Sequence, residues 1–125
     1  MELKLLYVGV GGFLGAVLRY WISGWVYQLT GTDFPYGTLV VNLIGAFLLG
    51  VFMAVTLQAN ISTAMRHLVA IGMLGAFTTF STFSYETLQL LQHGELWRGL
   101  LNIGVSIIAG LIAVWLGMLM GRFMV

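Results

Sequence analysis

The chain has 125 residues, of which 60% are hydrophobic and only 7% are charged, and its formal net charge is +1. A soluble domain of this size leaves roughly a third of the surface of its unfolded chain in water after folding, so a mean hydropathy of +1.01 excludes a soluble domain and predicts an integral membrane protein. The absence of cysteine excludes disulfides and thiolate metal sites.

Four long apolar segments are predicted to cross the membrane, and they cover residues 5–27, 34–57, 67–91 and 99–121. Each exceeds the ~20 residues that cross about 30 Å of hydrocarbon. The first contains one charged residue, Arg19, and the third contains one, Glu86. The first segment is too long for a cleaved signal peptide. We therefore predict an all-α fold in which residues 1–125 form a single four-helix transmembrane subunit.

The first two connections carry signals of helix ends at the membrane surface. The first segment ends in aromatic residues that favour the headgroup level, namely Tyr20, Trp21, Trp25 and Tyr27. Asp33 followed by Pro35 predicts the start of the second helix, with the carboxylate as its cap. Ser62 is predicted to cap the third helix.

The basic residues give a weak orientation signal. With four crossings both termini lie on one side, which also collects Lys4, Arg66 and Arg122, whereas the other side has Arg98 and in part Arg19. This bias is weak by the positive-inside rule. It is compatible with insertion in both directions and also with a single orientation in a chain that has few charges.

Small residues four positions apart predict close helix packing. They form the pairs Gly11/Gly15, Ala46/Gly50, Gly72/Ala76 and Gly117/Gly121. Such pairs allow helix backbones to approach closely in lipid. Because four helices of this length leave little room inside one copy, we expect an oligomer with any polar pathway at or near the subunit interface.

The third segment has an unusual concentration of hydroxyl groups near its middle. Residues 75–87 contain Ser and Thr residues interleaved with Phe77, Phe80 and Phe83. In a regular helix these hydroxyls could bond to carbonyls one turn earlier without further role. Glycine and the β-branched pair Thr78–Thr79 are poor helix formers, and interrupted backbone at membrane depth is tolerated where it is buried or lines a wet cavity. We therefore predict a functional break near residues 75–80.

Polar side chains in the second and fourth segments could line an ion pathway. Asn42 lies near the middle of the second segment, with Thr38 one turn before it, and Asn102 and Ser106 form a similar pair in the fourth. Asparagine amides can hold helices together or donate two hydrogen bonds to an anion. Phenylalanine rings have a positive edge that suits an anion, but hydroxyls donate and accept, so the pattern alone does not choose the sign of the ion.

Three blocks of the sequence resemble the signature blocks of the Fluc (CrcB-type) fluoride channels. They are GGFLGAVLRY at 11–20, GTLVVNLIG at 37–45 and GAFTTFSTFSYE at 75–86. The third block is the most specific, and the length and four spans fit the same family over the whole chain. The fourth segment contributes no motif of comparable specificity.

The resemblance implies an antiparallel, dual-topology homodimer with two fluoride pores and one structural sodium ion at its centre. The sodium would be held by the backbone carbonyls of Gly75 and Thr78 from each subunit, and Arg19 would lie near the vestibule. The positions that the resemblance assigns to the pore are Asn42, Phe80, Phe83, Ser81, Thr82, Ser106 and Asn102. Asn102 departs from the family, which more often has an aromatic hydroxyl there, and Glu86 matches an acidic position.

The expected function is passive, fluoride-selective export across the inner membrane, which would lower the toxicity of fluoride in the cytoplasm. No enzymatic activity and no nucleic-acid partner are expected.

The alternative from another class is a proton-coupled small multidrug-type exporter that uses Glu86. Such an exporter would need a carboxylate in the first segment, where this chain has Arg19. A structural subunit of a larger membrane complex would leave the polar cluster of the third segment without a role.

Overall fold

Four helices that are long and apolar enough to cross a membrane follow one another in the computed structural model, which describes residues 1–125. The first two are α1 (Glu2–Thr30) and α2 (Tyr36–Gln58), and the last is α5 (Leu96–Met124). The third crossing, Thr63–Gln92, contains two helical parts that we name α3 (residues 63–77) and α4 (Phe80–Gln92). The predicted all-α fold, with four helices long and apolar enough to cross a membrane, is confirmed.

The two capping predictions have opposite outcomes. The hydroxyl of Ser62 accepts a hydrogen bond from the backbone N–H of Met65 at 3.2 Å, so the predicted cap of α3 is confirmed. The predicted cap by Asp33 is wrong, because the N-cap residue of α2 is Pro35 and no side chain bonds there. The backbone explains the difference, since the N–H of Tyr36 donates to the carbonyl of Phe34 at 2.8 Å and needs no side-chain partner.

Glycines bring two pairs of helices into backbone contact. α1 packs on α3, where a Cβ atom on Gly11 would overlap the carbonyl oxygen of Leu68. α2 packs on α5, where a Cβ on Gly117 would overlap the carbonyl oxygen of Phe47. Both glycines belong to predicted small-residue pairs. Without side chains at these positions the helices approach closely enough for dispersion and Cα–H···O contacts to stabilise them in lipid.

Most of α3 is wound as a π-helix, which covers Arg66–Leu74. A π-helix has one more residue in each hydrogen-bonded ring than an α-helix, and π segments are often found at functional sites. Gly72 lies in this segment, and a Cβ there would come within 2.7 Å of the carbonyl oxygen of Val8. The wide π-helical backbone therefore lies directly against α1 just before the third crossing reaches its midpoint.

The contact at Gly117 leads to a test with a matched control on the same helix. Gly117→Ala is expected to destabilise the protein by roughly 1–3 kcal/mol, because a side chain there must push α2 and α5 apart. Gly104→Ala adds the same methyl group where no atom beyond the adjoining helix backbone lies within 4 Å, so it is expected to be neutral or slightly stabilising through helix propensity. Thermal unfolding in detergent measures both, and equal melting temperatures for the two variants would contradict the packing argument.

Candidate functional site

The third crossing leaves helical geometry at two consecutive threonines. Thr78 has φ −89° and ψ 156°, and Thr79 has φ −148° and ψ 120°, both in the extended region. Helix resumes at Phe80. The extended pair lies inside the range 75–80 in which the sequence predicts an interruption. The N–H of Thr78 still donates to the carbonyl of Leu74 at 3.2 Å, whereas the N–H of Thr79 requires a partner outside the helix.

Asn42 of α2 supplies the partners of Thr79. The backbone N–H of Thr79 donates to Asn42 Oδ1 at 2.8 Å, and Asn42 Nδ2 donates to the carbonyl of Thr79 at 3.1 Å. The side-chain amide thus pairs with both polar groups of one residue, as a neighbouring β-strand would. One of the two amide hydrogens of Asn42 remains available for a further acceptor.

Arg19 of α1 bonds to the last turn of α3. Its Nε donates to the carbonyl of Ala76 at 3.1 Å. The carbonyl end of a helix carries partial negative charge, so a guanidinium there is favourable. This contact places Arg19 beside the last turn of α3, just before the interruption, and stabilises the helix end.

Hydroxyl groups cap the start of α4. The Oγ1 atom of Thr79 accepts a hydrogen bond from the N–H of Thr82 at 3.2 Å and donates to Thr82 Oγ1 at 3.1 Å. Ser81 Oγ lies 3.3 Å from the same Thr79 oxygen. Part of the dense hydroxyl cluster therefore stabilises the second half of the crossing, as Ser and Thr commonly do at an N-cap.

A groove of about 540 Å³ runs beside the interruption. Six of the ten residues predicted from the sequence to form the ion site line it, namely Asn42, Gly75, Thr78, Phe80, Phe83 and Ser106. The ring centroids of Phe80 and Phe83 lie 5.7 Å apart, with the ring planes at 50°. No charged residue lines the groove, so what it offers is hydrogen-bond donors, ring edges and backbone.

The other four predicted site residues lie outside this groove. Ser81 and Thr82 belong to the capping cluster, and Arg19 lies at the helix end. Asn102 is only 2% exposed; its Nδ2 donates to Thr87 Oγ1 at 2.8 Å, and its Oδ1 accepts from the Ser106 hydroxyl at 3.3 Å. Asn102 therefore reaches the groove only through Ser106.

Two carbonyl groups at the interruption lack the donor that a continuous helix would supply. The N–H of Thr79, which would bond to Gly75, donates to Asn42 instead. The N–H of Thr82, which would bond to Thr78, donates to Thr79 Oγ1. Both Gly75 and Thr78 line the groove, and uncharged oxygens of this kind suit a hard cation. No cluster of three or more His, Asp or Glu side chains provides another metal site.

Sequence reasoning missed a hydrogen-bonded group around Glu86. The hydroxyl of Tyr27 donates to Glu86 Oε2 at 2.7 Å, and the hydroxyl of Thr38 donates to Glu86 Oε1. The two hydroxyl oxygens lie 3.2 Å apart. From the sequence, Tyr27 is predicted to be an aromatic residue at the membrane interface. It lies 59 residues from Glu86, and no local pattern links the two, so only the tertiary structure shows that they are hydrogen-bonded.

The pairing of Asn42 with Thr79 can be tested by removing the amide. Asn42→Ala is expected to destabilise the protein by roughly 2–6 kcal/mol, because it leaves the half-buried N–H and carbonyl of Thr79 without partners, at about 1–3 kcal/mol each. Asn60→Ala is the matched control, since Asn60 is exposed in the second connection. Hydrogen exchange should accelerate at the Thr79 amide in Asn42→Ala alone. Unchanged exchange there would show that this amide does not depend on Asn42.

Comparison with known proteins adds a family and named relatives. The sequence profile described as CrcB-like protein, Camphor Resistance (CrcB), matches residues 6–118. A protein of Hydrogenovibrio crunogenus named fluoride-specific ion channel FluC is 50% identical over 121 residues, which cover 96% of this chain and 92% of the relative. A protein of the same name from Citrifermentans bemidjiense is 48% identical over 120 residues, 95% of this chain and 97% of the relative.

Proposed function

Because the chain belongs to the CrcB-like family, we propose that it is a passive, fluoride-selective channel that exports fluoride across the cell membrane and lowers its toxicity in the cytoplasm. It is a multi-pass membrane protein of an ion-channel family rather than an enzyme. The observation that carries the proposal is the uncharged groove at the interruption of the third crossing, in a chain that matches proteins named as fluoride channels over nearly its whole length.

Fluoride is small and strongly hydrated, so the pathway must replace its water with other donors. The free amide hydrogen of Asn42 and the ring edges of Phe80 and Phe83 line one groove as a donor and positive edges. Ser106 also lines this groove, and its hydroxyl would have to turn from Asn102 Oδ1 in order to donate to the ion. Selectivity can rest on such donors and on the diameter of the pathway. Because no fixed positive charge lines the groove, the anion is bound weakly enough to leave.

The remaining predicted residues have supporting roles in this proposal. Asn102 orients the Ser106 hydroxyl, and Ser81 and Thr82 belong to the cap that fixes the start of α4 beside Phe80. Arg19 holds the end of α3 and contributes positive charge to the vestibule.

The working unit in this proposal is a homodimer of oppositely inserted copies in the inner membrane. Phe80 is 77% exposed in the single chain although it borders the groove, which a second copy lying against this face would change. The small number of basic residues and their weak asymmetry support insertion in both directions.

A sodium ion at the centre of the dimer completes the proposal. The carbonyls of Gly75 and Thr78 fit such an ion, because both have lost their helical donors and both are uncharged oxygens. Each copy would supply two ligands, so the ion would link the subunits and neutralise carbonyl dipoles at membrane depth.

The sodium proposal predicts a stoichiometry. Protein desalted into sodium-free buffer is expected to retain about one sodium ion per two chains by elemental analysis, because the ligands are backbone atoms shared by two subunits. Protein refolded with N-methylglucamine as the only cation should melt at a lower temperature than protein refolded in sodium, because binding to the folded state alone stabilises it. Absence of retained sodium together with equal melting temperatures would contradict this part of the proposal.

Fluoride flux provides the direct test of function. Liposomes that contain the protein and potassium fluoride are expected to release fluoride rapidly when a potassium ionophore is added, whereas chloride-loaded liposomes retain chloride. Phe80→Ile and Phe83→Ile are each expected to lower the flux at least about tenfold, because an aliphatic side chain has no positive ring edge for the anion. Phe123→Ile is the control, since that ring is 89% exposed at the end of α5.

Two results of this assay would count against the proposal. No fluoride release from well-folded protein would reject the channel function itself. Unchanged flux in both Phe80→Ile and Phe83→Ile would reject the two rings as pathway residues while leaving the channel function in place.

The alternative of a multidrug-type exporter is not favoured. The named relatives are ion channels, and the first crossing has Arg19 bonded to a helix end where an exporter would need a carboxylate.

A further inference from the structure

We infer that Tyr27 is a positioning residue which, together with Thr38, holds the carboxyl group of Glu86 away from the rings of Phe80 and Phe83. The inference rests on the proposed channel function. It assigns a role to a side chain of α1 that contributes nothing to the groove lined by Phe80 and Phe83.

Hydroxyl groups, and no basic side chain, bind the carboxyl group of Glu86. Its two oxygens accept hydrogen bonds from Tyr27 on α1 and from Thr38 on α2. The only ion pair of the protein joins Arg98 and Glu95 in the third connection. The position of the Glu86 side chain therefore depends on two hydroxyl donors that come from two other helices.

The backbone of α2 fixes the hydroxyl of Tyr27 independently of Glu86. The N–H of Thr38 approaches this hydroxyl at 3.4 Å as a donor. The ring of Tyr27 lies against Gly37, where a Cβ atom would overlap the ring and come within 2.7 Å of the carbonyl oxygen of Ser23. The absence of a side chain at Gly37 thus gives the ring its place between α1 and α2, and the donor is oriented before the carboxyl group binds.

The bonded carboxyl group lines a second pocket and is not part of the lining of the groove. Glu86 and Tyr27 line a separate polar pocket of about 370 Å³, together with Gln89 and His93. Phe83, however, lies three residues before Glu86 in α4, and residues with this spacing are neighbours on a helix surface. Release of the carboxyl group from Tyr27 would allow its negative charge to approach the rings, where it would repel an anion.

The experiment measures fluoride efflux from liposomes for wild-type protein, Tyr27→Phe, Glu86→Gln and the double variant. Tyr27→Phe is expected to lower fluoride efflux roughly threefold to tenfold, because it removes one hydrogen bond to a carboxyl group and no packing volume. Glu86→Gln is expected to conduct at close to the wild-type rate. The double variant is expected to match Glu86→Gln, because no negative charge is then left to hold.

Two further variants separate this role from a general effect on folding. Tyr20→Phe removes the hydroxyl of a tyrosine that is 82% exposed, and it should leave efflux unchanged. Thr38→Val removes the second donor, and Glu86→Gln should rescue it in the same way. Infrared spectroscopy gives a readout besides flux: the carboxyl band that Glu86→Gln removes should shift in Tyr27→Phe.

Each outcome has a defined meaning. Loss of flux in Tyr27→Phe with rescue by Glu86→Gln supports the inference. Wild-type efflux in Tyr27→Phe, or an equal loss with and without the Glu86 carboxyl group, overturns it while the channel function stands. An absence of fluoride release from the wild-type protein itself overturns the proposed function and this inference with it.

Discussion

The reciprocal pair between the Asn42 side chain and the Thr79 backbone is the interaction on which the site depends. In a membrane no water satisfies a backbone group that has left a helix, and each orphan group costs several kcal/mol. An amide that both donates and accepts removes two orphans with one side chain. It also releases the carbonyl of Gly75 from its helical donor, so the same bond that stabilises the interruption exposes an oxygen at the groove.

Contacts between neighbouring helices hold the two partners of that pair in position. Arg19 on α1 bonds to the end of α3, which requires α1 to lie close to the third crossing, and glycine contacts such as Gly11 against the Leu68 carbonyl allow this approach. On the other side, α2 carries Asn42 and is held against α5 by Gly117. Because backbone-to-backbone contacts in lipid tolerate little displacement, the small residues determine where the polar side chains meet.

The sequence predicts those parts of this arrangement that are local. A run of apolar residues longer than a bilayer gives the four crossings, and Thr78–Thr79 with nearby glycine marks the segment that is extended in the structure. The sequence did not correctly predict Asp33 as the cap of α2. The backbone N–H of Tyr36 donates to the carbonyl of Phe34 in a tight turn, so a side-chain cap is not needed there.

The group around Glu86 shows why the remainder could not be predicted. Tyr27, Thr38 and Glu86 come from three helices, and a tyrosine near the end of an apolar segment is ordinarily an interfacial residue. The sequence provides no pattern that links them. In space they keep the carboxyl group of Glu86 apart from the uncharged groove: it is bonded in a separate pocket, three residues beyond Phe83 on α4. Under the proposed function, an uncharged lining favours a small anion only while that carboxyl group stays bonded in its own pocket, so selectivity would depend on contacts outside the groove as well as on those within it.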